Sequence, residues 1–158
     1  GVAHSAPANH FKDRRTLLTG IATEIFKSRA NMAVEILAPS DQGSARERLL
    51  LFARDWLDFG LAHPHQYRLI WRRDCLDPHD LALNEQMDRI YVPLVSLYAG
   101  IMPGKATSAE SQAIGLWSLL HGYLSMRLDG NLTDGRDDVT GQARADAILD
   151  SWIGLQDK

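Results

Sequence analysis

Cysteine is nearly missing from this chain: Cys75 stands alone among 158 residues. One thiol excludes an internal disulfide and fits a reducing cytoplasm, the location expected here. No apolar run is long enough to cross a bilayer, and the N-terminus lacks a secretory signal pattern. The motifs of common enzyme chemistry are also missing. There is no Gly-x-Ser-x-Gly, no glycine-rich phosphate loop and no His-Glu-x-x-His. The carboxylates fall mainly at helix starts and in loops, where capping accounts for them. No catalytic residue and no cofactor are therefore nominated, and an enzyme is not expected. Alternating apolar and polar residues are lacking too, so no strand is expected and the fold class is all-α. Repeats and low-complexity tracts are absent. The first residue is Gly rather than Met, so a processed or truncated chain is expected.

Hydrophobic residues make up 45% and charged residues 23%, the balance of a globular domain with a sizeable core. The net charge of −3 is uneven. Lys12, Arg14 and Arg15 face only Asp13 in the first fifteen residues, so a basic tip sits on an acidic body. An anionic partner at the N-terminus accounts for that, and so does chance exposure of a few charges.

Helical periodicity runs through the chain. Lys12 to Leu37 reads as a long helix, with Leu18, Ile21, Ala22, Ile25, Met32 and Ile36 on its apolar face. Ser44 and Glu47 form a capping box for a helix carrying Leu49, Phe52, Ala53, Trp56 and Leu57 and ending at His63-Pro64. Pro64 opens a short helix to about Trp71, and Asp77-Pro78 opens the next, with Asp80 in its first turn. That helix carries Leu83, Met87, Ile90, Tyr91, Leu94, Val95 and Tyr98, with Pro93 inside it, where a lost backbone bond predicts a kink. Thr107 and Glu110 are the expected caps of the central helix, and a last helix spans about Thr140 to Leu155.

Ala113–Leu128 organises the rest, because it is apolar on every side. Ile114, Trp117, His121, Leu124 and Leu128 share one face, assigned to the domain's own core. Leu116, Leu119, Leu120, Tyr123 and Met126 cover the other. A helix apolar all round needs burial all round. Between the faces run Gly115, Ser118, Gly122 and Ser125, and the last helix repeats such a small row in Ala143, Ala147, Ser151 and Gly154. Two such helices, doubled by a two-fold axis, predict a four-helix dimer interface through Gly115, Leu119, Gly122, Met126, Ile148 and Trp152. The alternative is that both rows serve packing within one chain.

Gly1–Phe26 resembles the second half of the helix-turn-helix of tetracycline-repressor-type (TetR/AcrR) regulators. Gly1-Val2 matches the turn before the recognition helix and His10-Phe11 the His-Phe that closes it. Lys12-Asp13-Arg14 matches the polar turn, and Leu17-Leu18 the Leu pair of the following helix. Trp117, His121 and Gly122 resemble the Trp…His-Gly signature of a WHG-type C-terminal domain. Ala3 replaces the family's capping Ser or Thr, Ala8 replaces its phosphate-contacting aromatic, and the family's first two helices are not in the chain. The resemblance therefore implies residues 1–15 as a remnant of a DNA-binding domain and 16–158 as a ligand-binding and dimerisation domain. It implies a transcriptional regulator, expected as a repressor, acting as a homodimer on a double-stranded DNA operator when full-length, with no membrane partner. Poor DNA binding is expected of the chain as it stands.

Site residues follow. His4, Ser5 and Asn9 stand where side chains reach base edges, and Asn suits adenine. His10, Lys12 and Arg15 stand where phosphate is contacted; helix-end packing is the other reading of His10-Phe11. Trp56, Trp71, Met87, Tyr91, Tyr98, Trp117 and His121 are candidates to line a cavity for an unknown apolar or aromatic effector. Each also reads as plain core, and His121 as a core histidine bonded to a carbonyl. His63, His65, Asp74, Cys75, Asp77, His79 and Asp80 are metal-type ligands within 18 residues, at no familiar metal spacing. No metal is nominated. A DNA-independent all-α dimeric binding or scaffold protein and a metal-responsive regulator are the alternatives.

Overall fold

A computed structural model describes residues 12–39, 43–101 and 107–154. Among them are six helices and no strand, only one isolated bridge between Arg136 and Ala143. None of the helices is long and apolar enough to cross a membrane. The helices are α1 (Arg14–Leu37), α2 (Ala45–Ala62), α3 (Pro64–Ile70), α4 (Leu81–Ile101), α5 (Ala109–Leu128) and α6 (Arg144–Gly154).

Local chemistry sets most of the ends. Asp13 caps α1 by accepting from the Thr16 N–H at 2.8 Å. Ser44 and Glu47 form the expected capping box of α2. Pro64 stands in the first turn of α3, where its missing N–H is harmless. Three expected starts shift. Asp77-Pro78 makes a turn rather than opening α4, and the Asp80 carboxylate accepts from the Leu83 N–H at 2.8 Å. Asp80 is thus a cap, not a first-turn residue. Ser108, not Thr107, caps α5 by accepting from the Ser111 N–H. The last helix begins at Arg144, because the Asp137 carboxylate takes the Val139 and Thr140 N–H groups into a turn that competes with helix. Leu155 lies outside the described residues.

Helix α1 lies mainly against α4. Its buried stripe is Thr19, Ala22, Ile25, Phe26, Ala30, Ala33 and Leu37, whereas Ile21 and Met32 are exposed. The alanines explain the difference: small side chains let two helices approach, so the stripe turns toward them and away from the larger pair. Helix α2 buries the expected Leu49, Phe52, Ala53, Trp56 and Leu57. The faces of α5 also differ from expectation. Leu116, Leu120 and Tyr123 join Leu124 in the core, while Ile114 and His121 are exposed and Trp117 is half-buried. The core lies between the two proposed faces, where α2 and α4 both reach α5.

At the crossing of α2 and α5, Gly60 lies directly beneath Leu124, which is fully buried. A Cβ added at Gly60 would stand 2.6 Å from Leu124 Cδ1. Gly60→Ala is therefore expected to destabilise by about 1–3 kcal/mol in urea unfolding. Combined with Leu124→Ala it should cost less than the sum of the two single changes, because the second removes the clash.

Candidate functional site

A cavity of about 560 Å³ opens between α2, α4, α5 and the segment after α3. Six of the seven sequence candidates line it: Trp56, Trp71, Met87, Tyr91, Trp117 and His121. Tyr98 does not. It is fully buried on α4 one and a half turns beyond Pro93, in the core. Phe26, Ile70, Arg73, Asp88, Ile90, Ile114 and Ser118 complete the lining. No local signal in the sequence marks these seven, because a wall takes whatever residue each neighbouring helix happens to present.

The aromatic rings form one connected array. Trp117 stands edge-on to Trp56 at 4.6 Å between centroids and to Phe52 at 5.6 Å, and Trp71 lies 6.1 Å from Trp117. Edge-to-face pairs of this kind hold ring orientations beyond what area burial requires. Trp56 lies at the back of the lining: it is fully buried, and its Nε1 has no hydrogen-bond partner among the described residues.

His121 fits neither the carbonyl-bonded core reading nor a fully buried one. It is exposed, its ring centroid lies 4.6 Å from that of Trp71, and its Nδ1 lies 2.7 Å from the Tyr67 hydroxyl. Tyr67 is buried, and burial raises its phenol well above the ordinary value. Its one hydrogen has no other acceptor among the described residues, so the phenol donates and Nδ1 accepts. In the tautomer with Nδ1 accepting, the ring hydrogen sits on Nε2. Tyr67 is thus a positioning residue for a ring on the cavity wall.

The remaining candidates fare differently. His4, Ser5, Asn9 and His10 lie outside the described residues. Lys12 is exposed. Arg15 is exposed and donates to the Asp74 carbonyl oxygen at 3.1 Å, which ties it to its own domain. Gly115 packs beneath Trp152 of the same chain, where a Cβ would meet the indole at 2.9 Å, so this part of the small row serves intrachain packing. Gly122 has open space above it, Met126 is 46% exposed, and Leu119, Ile148 and Trp152 are half-buried around a shallow groove. Among the described residues no three His, Cys, Asp or Glu side chains come together as metal ligands. Asp74 pairs with Arg72, which holds its carboxyl below the ordinary range, and Asp77 and Asp80 bind backbone N–H groups.

A family profile described as "Tetracyclin repressor-like, C-terminal domain" matches residues 49–151, which include α3, α4, α5 and the cavity's Trp56. No curated protein matches the sequence. Among solved structures, "Structure of a protein with unknown function from Rhodococcus sp. RHA1" superposes with a TM-score of 0.71 at 23% identity, over 100% of this chain and 80% of that one. At such identity the likeness shows the fold alone.

Tyr67→Phe is expected to cost about 1 kcal/mol at neutral pH by removing one buried hydrogen bond. A phenol raised by folding stabilises fully below the unfolded value near 10 and loses that contribution as pH climbs toward the folded value. The gap between wild type and Tyr67→Phe in urea melts should accordingly narrow above about pH 10.

Proposed function

This chain belongs to the tetracycline-repressor-like C-terminal domain family, and on that premise we propose that it is a one-component transcriptional repressor, not an enzyme, governed by a small effector. In this reading residues 1–15 are the remnant of its helix-turn-helix and residues 16–158 bind effector and dimerise. The observation that carries the proposal is the cavity itself: about 560 Å³, walled by three of the chain's four tryptophans. That volume lies within the range of sites for drug-sized molecules.

The route from cavity to DNA is short. Trp71 and Arg73 line the cavity and belong to the segment 71–80 between α3 and α4. The same segment holds the first two turns of α1. The Asp77 N–H donates to the Thr19 hydroxyl at 2.9 Å, and Arg15 donates to the Asp74 carbonyl. Thr19 is buried. A ligand that displaces Trp71 therefore strains bonds at the end of α1 nearest residues 1–11. In a dimer this changes the separation of two recognition helices, which must span half-sites about 34–36 Å apart, or a multiple of that. Only an effector that prefers one arrangement switches anything.

Dimerisation is assigned to the surface of α5 and α6 around Gly122, Leu119, Met126, Ile148 and Trp152; Gly115, covered by Trp152 of its own chain, is left out of it. The exposed Met126, the half-buried Leu119, Ile148 and Trp152 and the open space over Gly122 support it as one continuous apolar surface.

A thermal-shift screen of aromatic and long-chain compounds tests the effector reading. A true effector at about 100 times its Kd should raise Tm by roughly 5–10 °C. Failure of every class, together with sedimentation as a lone chain at micromolar concentration, would sink the proposal. For the interface, Gly122→Leu is expected to shift sedimentation toward monomer without loss of helicity, because nothing within the chain occupies that space. For the route, Thr19→Val should leave effector affinity within about twofold while weakening the effector's influence on operator binding by the full-length protein, since it removes one hydrogen bond.

A further inference from the structure

The α5 and α6 surface assigned to dimerisation is too small to serve by itself. A stable protein–protein interface takes about 800 Å² from each partner, roughly 20–30 residues a side. Of Gly122, Leu119, Met126, Ile148 and Trp152, only Met126 is exposed, and the others are half-buried. The groove beside them continues into the small Ala147 and Ser151 and the charged Asp137 and Arg144. These add little apolar area, so more of it has to come from α5.

The winding of α5 leaves one direction for that. Each residue advances a helix by about 100°, which orders the residues around its axis. Past Leu119 and Met126 the helix turns to Leu116 and Tyr123, which are buried in the core. Past Gly122 it turns to Ser118 and Ser125, and then to Ile114 and His121. Ile114 is 51% exposed, and Ser118 and His121 are exposed as well. Ile114, Ser118 and His121, with the half-buried Trp117, are also the lining that α5 gives to the cavity. One edge of the cavity mouth and the dimer surface are thus neighbouring strips of the same helix. The hydroxyls on the strip tolerate being covered. Ser118 donates to the Ile114 carbonyl at 2.8 Å and Ser125 to the Asp129 carboxylate at 3.4 Å, so neither loses its partner when water is excluded.

Resting on the dimer reading of this surface, we propose that the second copy of the chain also lies over Ile114, Ser118 and His121, so that it forms one side of the cavity mouth. A helix with its side chains is about 10 Å across. Seated over Ser118 and Gly122, it covers Ile114 and His121 on its flank. The cavity is then complete only in the dimer, and an effector enters and leaves past the partner subunit. Effector binding and dimerisation are linked in this arrangement, each strengthening the other by the same factor.

Hydroxyl-radical footprinting of the whole chain, read by mass spectrometry above and below the dimerisation midpoint found by sedimentation, tests this without a ligand. Met126 reports the assigned surface, Ile114 and His121 report the cavity lip, and the strongly exposed Leu81 and Val139 serve as controls. Oxidation of Met126, Ile114 and His121 should fall severalfold together as the dimer forms, with Leu81 and Val139 unchanged. In Gly122→Leu all three should react at high concentration as they do in dilute wild type. Protection of Met126 with Ile114 and His121 still reacting at the dilute rate overturns the shared mouth and leaves the dimer reading standing. Unchanged rates at all three, whether the chain sediments alone or as a dimer seated elsewhere, overturn both.

Discussion

The close crossing of α2 over α5 at Gly60 and Leu124 is the constraint on which the rest of this structure depends. Helices normally pack with axes 8–10 Å apart, and a glycine at the contact brings them toward the lower end. One turn along α2 from Gly60, that approach brings Trp56 edge-on against Trp117 with ring centres 4.6 Å apart. The cavity is the space that remains between this rigid aromatic seam and the half-buried side of α4, where Met87 and Tyr91 stand.

A second constraint joins the cavity to the rest of the chain. The ten residues between α3 and α4 have no regular structure, yet they are not loose. Leu76 is buried in the core, Asp77 bonds to Thr19, and Arg15 bonds to the Asp74 carbonyl. The cavity residues stand at the start of this segment, and its contacts with α1 lie further along it.

The same physics accounts for which small residues matter. Gly115 and Gly122 are seven residues apart on α5 and look equivalent in sequence. Gly115 is covered by Trp152 of its own chain, and Gly122 is open. A small-residue row records that something comes close, and not what comes close. Tyr67 shows the complementary case. It sits on a seven-residue helix and carries no motif, yet its hydroxyl orients His121 across 54 positions of sequence.

Taken by itself, the sequence determined the all-helical class, the capping box at Ser44 and Glu47, the buried face of α2, and six of the seven residues nominated for the cavity. These follow from local rules: periodicity, caps, and the tendency of aromatic residues to gather where apolar surface is enclosed. Tertiary structure alone decided which face of α5 turned inward, because a helix apolar all round has no periodic signal to choose one. It also decided that Asp80 and Ser108 cap where Asp77 and Thr107 offer similar chemistry, that Tyr98 belongs to the core, and that Arg73 meets the aromatic wall. Those outcomes depend on which helix arrives from elsewhere in the chain, and no local stretch of residues carries that information.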